Sequence, residues 1–243
     1  MEQTLEKTVG QIVAEDYRTA QVFKNHKIDF CCRGNRSLEE VAETNNLDLE
    51  QLRKELEQVQ NQEQGDNIDF ESWPLDLLAD YVEKKHHRYV EQQIPVLRPY
   101  LEKLCKVHGD RHPELMEILS HFNITAGELA MHMKREELVL FPWIRKMVQA
   151  KGKGQVPEAP HFGTVKNPIQ QMMAEHDDEG ERFRQIAALS DDYTPPEDAC
   201  STYRVTYSLL QEFEDDLHRH IHLENNILFP NAEQLEKQLF CQH

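Results

Sequence analysis

Two segments of this 243-residue chain share the pattern H-x-x-x-E-x-x-x-L-F-P in the same register. The first contains His132 and Glu136, and the second, 88 residues later, contains His220 and Glu224. Residues i and i+4 lie on one face of an α-helix, so each histidine points the same way as its glutamate. The apolar residues that follow indicate that this face is buried, and a buried glutamate is costly unless it is paired or bound to a cation. The repeat therefore predicts a metal site between two helices.

The two neighbouring helices each offer a further histidine to this site. One offers His176, and the other offers the adjacent residues His86 and His87. The apolar stripe that starts at Leu75 would place His86 inward, whereas subtracting the 88-residue repeat from 176 gives position 88 and favours His87. Successive residues lie ~100° apart around an α-helix, so the two cannot both face one point. The residues alone leave this choice open.

Four imidazoles and two carboxylates are a donor set for two metal ions in the core of a helix bundle. Tetrahedral zinc takes four ligands, usually including cysteine, whereas this nitrogen and oxygen set suits iron first and manganese second. Glu136 and Glu224 would each bridge the two ions, with solvent or an oxo or hydroxo group completing the bridge. A single H-x-x-x-E motif is usually a surface pair, but an in-register duplicate is not.

Helical periodicity without a strand signal predicts an all-α fold for the chain. Four long helices follow one another over residues 73–243, which predicts an up-down-up-down four-helix bundle. Pro95 and Pro99 are expected to kink the first of these helices or to distort its end. Residues 1–60 are interpreted as a small helical domain, and residues 61–72, which lack apolar periodicity, as a linker.

The composition excludes several classes of protein. Lys and Arg number 27 against 44 Asp and Glu, and the formal net charge of −17 argues against a surface for nucleic acid or an anionic membrane. No stretch approaches the ~20 apolar residues of a membrane span. The N-terminus shows no secretory signal, so a cytoplasmic location is expected. The five cysteines are irregularly spaced and do not form a disulfide framework.

Adjacent cysteines, Cys31 and Cys32, lie at the apex of a predicted turn in the N-terminal domain. Neighbouring residues cannot easily form an ordinary disulfide, because the geometry is too tight. As accessible thiols they could bind iron, accept nitrosyl groups or pass electrons. The alternative is a pair of small apolar residues at a turn. Cys200, at a predicted helix start, is expected to be buried and structural.

Further motifs accompany the two H-x-x-x-E segments: I-D-F-C-C-x-G at 28–34, E-H-D at 175–177, P-P-x-x-A-C at 195–200 and E-N-N-x-L-F-P at 224–230. With these motifs the chain resembles hemerythrin-like di-iron bundles. It resembles more closely the Repair of Iron Centres family of bacterial iron–sulfur cluster repair proteins, over nearly its whole length. A hemerythrin-like bundle by itself would not include the Cys-Cys turn.

The resemblance implies a hemerythrin-like bundle with six iron ligands and a carboxylate-bridged pair of iron ions. The family's spacing to a downstream segment selects His87 over His86. Carried over by position, the ligands are His87, His132, Glu136, His176, His220 and Glu224. The resemblance also implies a polar tunnel to the di-iron centre, with Glu128 and Glu175 at its acidic positions, and gives Cys31 and Cys32 a part in the chemistry.

The function implied by the resemblance is repair of iron–sulfur clusters damaged by nitric oxide or oxidants. The di-iron centre would supply iron to the damaged proteins, and reduction of nitric oxide there would make the chain an enzyme, a point that stays open. The alternative is a hemerythrin-like module that binds or senses oxygen, nitric oxide or iron without catalysis. A third hypothesis is an interaction domain with a structural metal. A homodimer is compatible with the sequence.

Overall fold

The computed structural model describes residues 7–61 and 68–240, and within these ranges it contains helices and turns but no strand. The predicted all-α fold with a small helical N-terminal region and a hemerythrin-like bundle is confirmed. The α-helices of the described residues are α1 Val9–Glu15, α2 Ala20–Asn25, α3 Leu38–Thr44, α4 Leu49–Gln60, α5 Leu75–Tyr81, α6 Arg88–His108, α7 Glu114–Arg135, α8 Phe141–Gly152, α9 Lys166–Leu189, α10 Ser201–Leu223 and α11 Phe229–Phe240.

Three of the four short N-terminal helices, α1, α3 and α4, begin at side-chain caps. The hydroxyls of Thr8 and Ser37 each accept a hydrogen bond from the backbone three residues on, at the starts of α1 and α3. In both cases the side chain at that position bonds back to the cap, which completes a capping box. The same two cap residues pair in an isolated antiparallel bridge. The caps thereby hold the starts of the two helices together.

Four long helical rods form the bundle: α5 with α6, α7 with α8, α9 alone, and α10 with α11. One π-helical turn joins the two parts of each composite rod, at Val82–His87, Glu136–Leu140 and Glu224–Leu228. Neither Pro95 nor Pro99 ends a helix, because α6 runs from Arg88 to His108 with both prolines inside, and the expected kink stays a prediction. The irregular turn of the first rod lies before these prolines.

The N-terminal helices pack against the bundle. One continuous core contains Phe23 and Phe30 of the N-terminal region together with Phe183 of α9 and Phe213 of α10. A second apolar core fills the other end of the bundle and includes Phe141. Among the described helices, none combines the length and apolarity needed to cross a bilayer.

The predicted linker is only partly described, since residues 62–67 lie outside the described ranges. Its last residues form a short turn, Phe70–Ser72, and the Phe70 ring lies 4.9 Å from that of Trp73 and 5.1 Å from that of Tyr81. Phe70 is buried in the second apolar core. The described end of the segment is therefore part of the folded bundle, while the boundaries 1–60, 61–72 and 73–243 stay a prediction.

Candidate metal centre

Six buried side chains from the four rods converge inside the bundle. Their donor atoms fall into two groups, and within each group the donor atoms all lie within 4.8 Å of one another. One group is His87, Glu136, His220 and Glu224, and the other is His132, Glu136, His176 and Glu224. Both glutamates belong to both groups. Two neighbouring cations that share two carboxylates require this arrangement.

Each glutamate is approached by two imidazoles. Glu136 Oε2 lies 3.3 Å from Nε2 of His132 and 3.4 Å from Nε2 of His87. Glu224 repeats the pattern, with the Nε2 atoms of the two other histidines each 3.2 Å from its Oε2. The Nε2 atoms of His132 and His176 lie 3.0 Å apart. The nitrogens thus point at common positions rather than at separate partners.

Hydrogen bonding within the described residues leaves this cluster unsatisfied. Both carboxylate oxygens of Glu136 and Glu224 are buried without a hydrogen-bond partner, and so are the Nε2 atoms of His87 and His220. Two adjacent carboxylates without solvent are strongly unfavourable unless a positive charge lies between them. The donor set fits the metal that the hemerythrin-like fold implies, and with its burial it indicates a di-iron site.

The pKa shifts within the cluster also indicate that the carboxylates need positive charge beside them. Burial raises the pKa of Glu224, but His220 and His176 outweigh burial and hold that pKa well below its ordinary value. Burial lowers the pKa of His132, yet the Glu136 carboxylate outweighs it and raises the pKa to about 10. Without a metal, protons on His132 and His87, whose pKa values are raised, offset part of the carboxylate charge, whereas the pKa of His220 is lowered by burial. Metal ions would take the place of those protons.

Most of these histidines are oriented by a second hydrogen bond at Nδ1. His132 Nδ1 lies 2.8 Å from Glu175, His87 Nδ1 lies 3.1 Å from Glu137, and His176 Nδ1 lies 2.8 Å from the Asn225 amide oxygen. A proton held at Nδ1 leaves the Nε2 lone pair free for a metal. Glu137 and Asn225 were not predicted from the sequence, although each directly follows a predicted ligand.

The three π-helical turns coincide with the site. Glu136 and Glu224 each begin one, and each accepts a hydrogen bond from the amide five residues on, at Phe141 and Phe229. The next residue in both segments is proline, which lacks a donor and collides with the carbonyl four residues earlier, so the helix widens before it. π-Helical turns are often found at functional sites.

The π-helical turn of the first rod buries both members of the His86–His87 pair. His87 joins a donor group, whereas His86 does not. His86 instead stacks on the ring of His220 and hydrogen-bonds Asp216. Of the two neighbours, His87, which the resemblance selects, is therefore the one whose donor atom lies in the cluster. The argument from α-helical geometry could not decide, because this segment is not α-helical.

The two acidic positions implied by the resemblance lie in different places. Glu175 is partly buried and binds His132, so it touches the cluster. Glu128 is exposed, forms an ion pair with Arg182, and is outside both donor groups. A buried carboxylate that the sequence reasoning missed, Glu179, lies 3.2 Å from Arg182, and burial raises its pKa to about 7. Its spacing of three from His176 is the signal that could have found it.

The cysteine turn docks directly on the rod that carries His176. Cys32 Sγ lies 3.3 Å from the His176 carbonyl oxygen, and the Asn225 amide donates to the Cys31 carbonyl at 3.3 Å. The two sulfurs are 3.8 Å apart, and Asp29 lies close enough to form a third small donor group with them. Cys31 is buried, and its hydrogen bond to Cys32, together with burial, raises its pKa. Cys32 is the more accessible of the two thiols.

The expectation for Cys200 is wrong. The residue caps the start of α10 and is exposed, with its sulfur 3.3 Å from Nε2 of His108. The short segment before α10 follows the bundle surface, so a residue at this cap is not covered by the core.

Two family models match the chain. A model described as "Domain of Unknown function (DUF542)", named ScdA_N, matches residues 5–60. The model "Hemerythrin HHE cation binding domain" matches residues 78–232, which includes all six converging side chains. The first match covers the cysteine turn and the second covers the bundle.

Curated relatives match both parts at once. The iron–sulfur cluster repair protein YtfE of Yersinia pseudotuberculosis serotype O:1b is 34% identical over 226 residues, which cover 93% of this chain and 96% of the relative. The YtfE of Yersinia pestis strain Pestoides F is 33% identical over the same share of each chain. This chain, which matches both an ScdA_N model and a hemerythrin HHE model, therefore belongs to the family of iron–sulfur cluster repair proteins.

Proposed function

We propose that this protein repairs iron–sulfur clusters damaged by nitric oxide or oxidants, by supplying iron from two ions held in the bundle. The observation that carries the proposal is the pair of donor groups that share both Glu136 and Glu224. Each group offers two imidazoles and two carboxylates, which suits iron and leaves coordination positions open. The names of the relatives supply the biological role, and the site supplies the chemistry.

Different residues would bind the two iron ions and orient the ligands that bind them. Glu136 and Glu224 would contact both ions, and the four histidines would complete the two groups. Bound iron would supply ferrous ions for transfer and would bind small diatomic molecules such as nitric oxide or oxygen. Glu175 and Asn225 hold the proton at Nδ1 of His132 and His176, which keeps Nε2 directed at the site.

The thiols of Cys31 and Cys32 lie where iron could leave the bundle. Cys32 contacts the backbone carbonyl of the candidate ligand His176, and the Cys32 side chain is only partly buried. A thiolate is a good iron ligand, so the turn can accept an ion from the bundle and present it to a damaged protein. All four described cysteines are free, as this role in a reducing cytoplasm requires.

A reactivation assay tests this function. The full-length protein, loaded with ferrous iron without oxygen, is mixed with a cluster-dependent dehydratase inactivated by nitric oxide, and recovery of dehydratase activity is followed. We expect the wild type to restore activity, Glu136→Ala with Glu224→Ala to restore none, and Cys31→Ser with Cys32→Ser to restore it more slowly.

The control is Cys105→Ser, because this thiol is buried far along the first rod and donates to the Leu115 carbonyl. It should behave as the wild type does. Failure of the iron-loaded wild type to restore activity would refute the repair function and favour a module that binds or senses small molecules. Full activity in the Cys31→Ser, Cys32→Ser protein would refute the proposed role of the two thiols but would leave the repair function standing.

A further inference from the structure

His86 has the features of a metal ligand although it lies outside both donor groups. Its side chain is buried, and its ring stacks on that of the ligand His220 with 5.7 Å between centroids and 8° between planes. Its neighbour His87 has its ring centroid 5.0 Å from the same ring. Two adjacent imidazoles of the first rod therefore contact one ligand of the candidate centre.

The two nitrogens of His86 are in the state that metal binding needs. Nδ1 lies 3.0 Å from Asp216, and Nε2 is buried without a hydrogen-bond partner in the described residues. His87 is arranged in the same way, with Nδ1 on Glu137 and Nε2 unpartnered. A carboxylate on Nδ1 is the usual support for a histidine that binds metal through Nε2.

The backbone at this position permits an exchange between the two. His86 and His87 end the π-helical turn Val82–His87, in which one extra residue is held within the helix. If the extra residue of the π-helical turn moves by one position along the rod, His86 takes the place of His87 on the inner face of the rod. Such a move keeps both ends of the rod fixed, so it does not require the bundle to open.

We propose that His86 is a reserve ligand that replaces His87 as iron leaves the centre. The inference rests on the proposed function, since it concerns how the same iron is released. Nε2 of His86 would take the place of Nε2 of His87 as an iron ligand, so the number of nitrogen ligands and the charge would stay the same. The exchange would remove His87 from its donor group while the ion keeps its other ligands.

Iron retention and release test this proposal without reference to repair activity. The full-length protein is loaded with ferrous iron, the iron kept after desalting is measured, and transfer to a bipyridine chelator is timed. The variants are His86→Gln, His86→Phe, His87→Ala and His87→Ala with His86→Gln. Gln can still donate to Asp216, and Phe keeps the stack on His220, so each variant checks a different structural contribution. Circular dichroism establishes that each one is folded.

We expect both single His86 variants to keep as much iron as the wild type and to release it more slowly, on the order of tenfold, which corresponds to about 1.4 kcal/mol in the barrier to release. His87→Ala should still keep most of its iron, because His86 takes its place, and the double variant should lose iron. His161→Gln, at an exposed loop position, should match the wild type in both measurements.

Three results would overturn the proposal. They are release at the wild-type rate in both His86 variants, faster release in both, or equal loss of iron from His87→Ala and from the double variant. Failure of the wild type itself to keep iron would be a different result. It would refute the proposed function as a whole, whereas the three results above refute only the role of His86.

Discussion

Asn225 connects the candidate metal centre to the cysteine turn through one side chain. Its amide oxygen accepts from His176 Nδ1 at 2.8 Å, and its amide nitrogen donates to the Cys31 carbonyl at 3.3 Å. The residue is buried, so neither bond is replaced by water when it is lost. The position of the cysteine turn and the orientation of His176 are therefore coupled.

Replacing Asn225 by Ala should weaken iron binding by ~10–100-fold, the usual cost of losing a residue that orients a ligand. Asn225→Asp keeps the acceptor for His176 and loses the donor to Cys31, so it should retain more affinity than the alanine variant. Competition with a ferrous chelator measures both. Wild-type affinity in Asn225→Ala would show that His176 does not depend on this bond.

Prediction from sequence succeeded best where chemistry is local to one helix. The i, i+4 spacing predicts that His132 and Glu136 share a face, and the structure brings them together. The supporting residues Glu137 and Asp216 could not be predicted in this way. Their partners lie on other rods, and charged residues next to a motif are common on solvated helix faces.

At the scale of elements, π-helical turns decide which residues face the centre. The sequence reasoning assumed α-helical geometry, in which His86 and His87 lie ~100° apart and one of them must face away. The π-helical turn buries both. The signal that was available is the proline that ends both H-x-x-x-E segments, at Pro142 and Pro230, because it removes a backbone donor within the helix. No proline follows the first turn so closely.

The rod α9 shows a second adaptation, at Gly180. A Cβ there would lie 3.0 Å from Cys32 Sγ and 3.6 Å from Arg184 Nη1, so the missing side chain makes room for the cysteine turn. Glycine within a helix costs about 1 kcal/mol relative to alanine. The cost is explained by the close approach of Cys32.

Gly127 provides a matched control for this explanation, since a Cβ at that position of α7 meets nothing within 4 Å. We expect Gly127→Ala to raise the free energy of unfolding by about 0.5–1 kcal/mol, and Gly180→Ala to give no gain because Cys32 is displaced. Urea unfolding measures the stability, and alkylation of Cys32 should become faster only in Gly180→Ala. Equal stabilisation by both substitutions would contradict the proposed fit.

At the scale of the whole molecule, the N-terminal domain and the bundle are joined by charge as well as by apolar packing. Asp29 pairs with Arg184 at 3.0 Å, Lys24 pairs with Asp215, and the rings of Tyr17 and Phe30 lie against His222. The net charge of −17 indicates little about this arrangement, because the few basic residues at the interface matter more than the total. The way the N-terminal domain docks could not be predicted, since it depends on contacts between distant segments.

Glu214, buried at this interface, should make stability depend on pH. Burial raises its pKa to about 7, and Lys24 offsets this only in part. From about pH 4.5 to pH 7 the unfolded chain ionises this carboxyl while the folded chain keeps it protonated, so stability falls as pH rises. Glu214→Gln removes that loss, and its gain in unfolding free energy over the wild type should be about 2–3 kcal/mol larger at pH 8 than at pH 5.

Urea unfolding at the two pH values measures the gain, with Glu212→Gln as the exposed control on the same helix. A gain for Glu214→Gln that is the same at pH 5 and pH 8 would mean that its carboxyl is not protonated in the folded protein.

The central claim is that six side chains from four rods hold two iron ions. The most direct test is the metal content of the full-length protein after anaerobic loading with ferrous iron and removal of excess metal. We predict two iron ions per chain for the wild type and for Glu128→Ala, whose carboxylate is exposed and outside the donor groups. Glu136→Ala with Glu224→Ala should hold none while keeping its helical circular dichroism. One zinc ion per wild-type chain, or no bound metal, would contradict the claim.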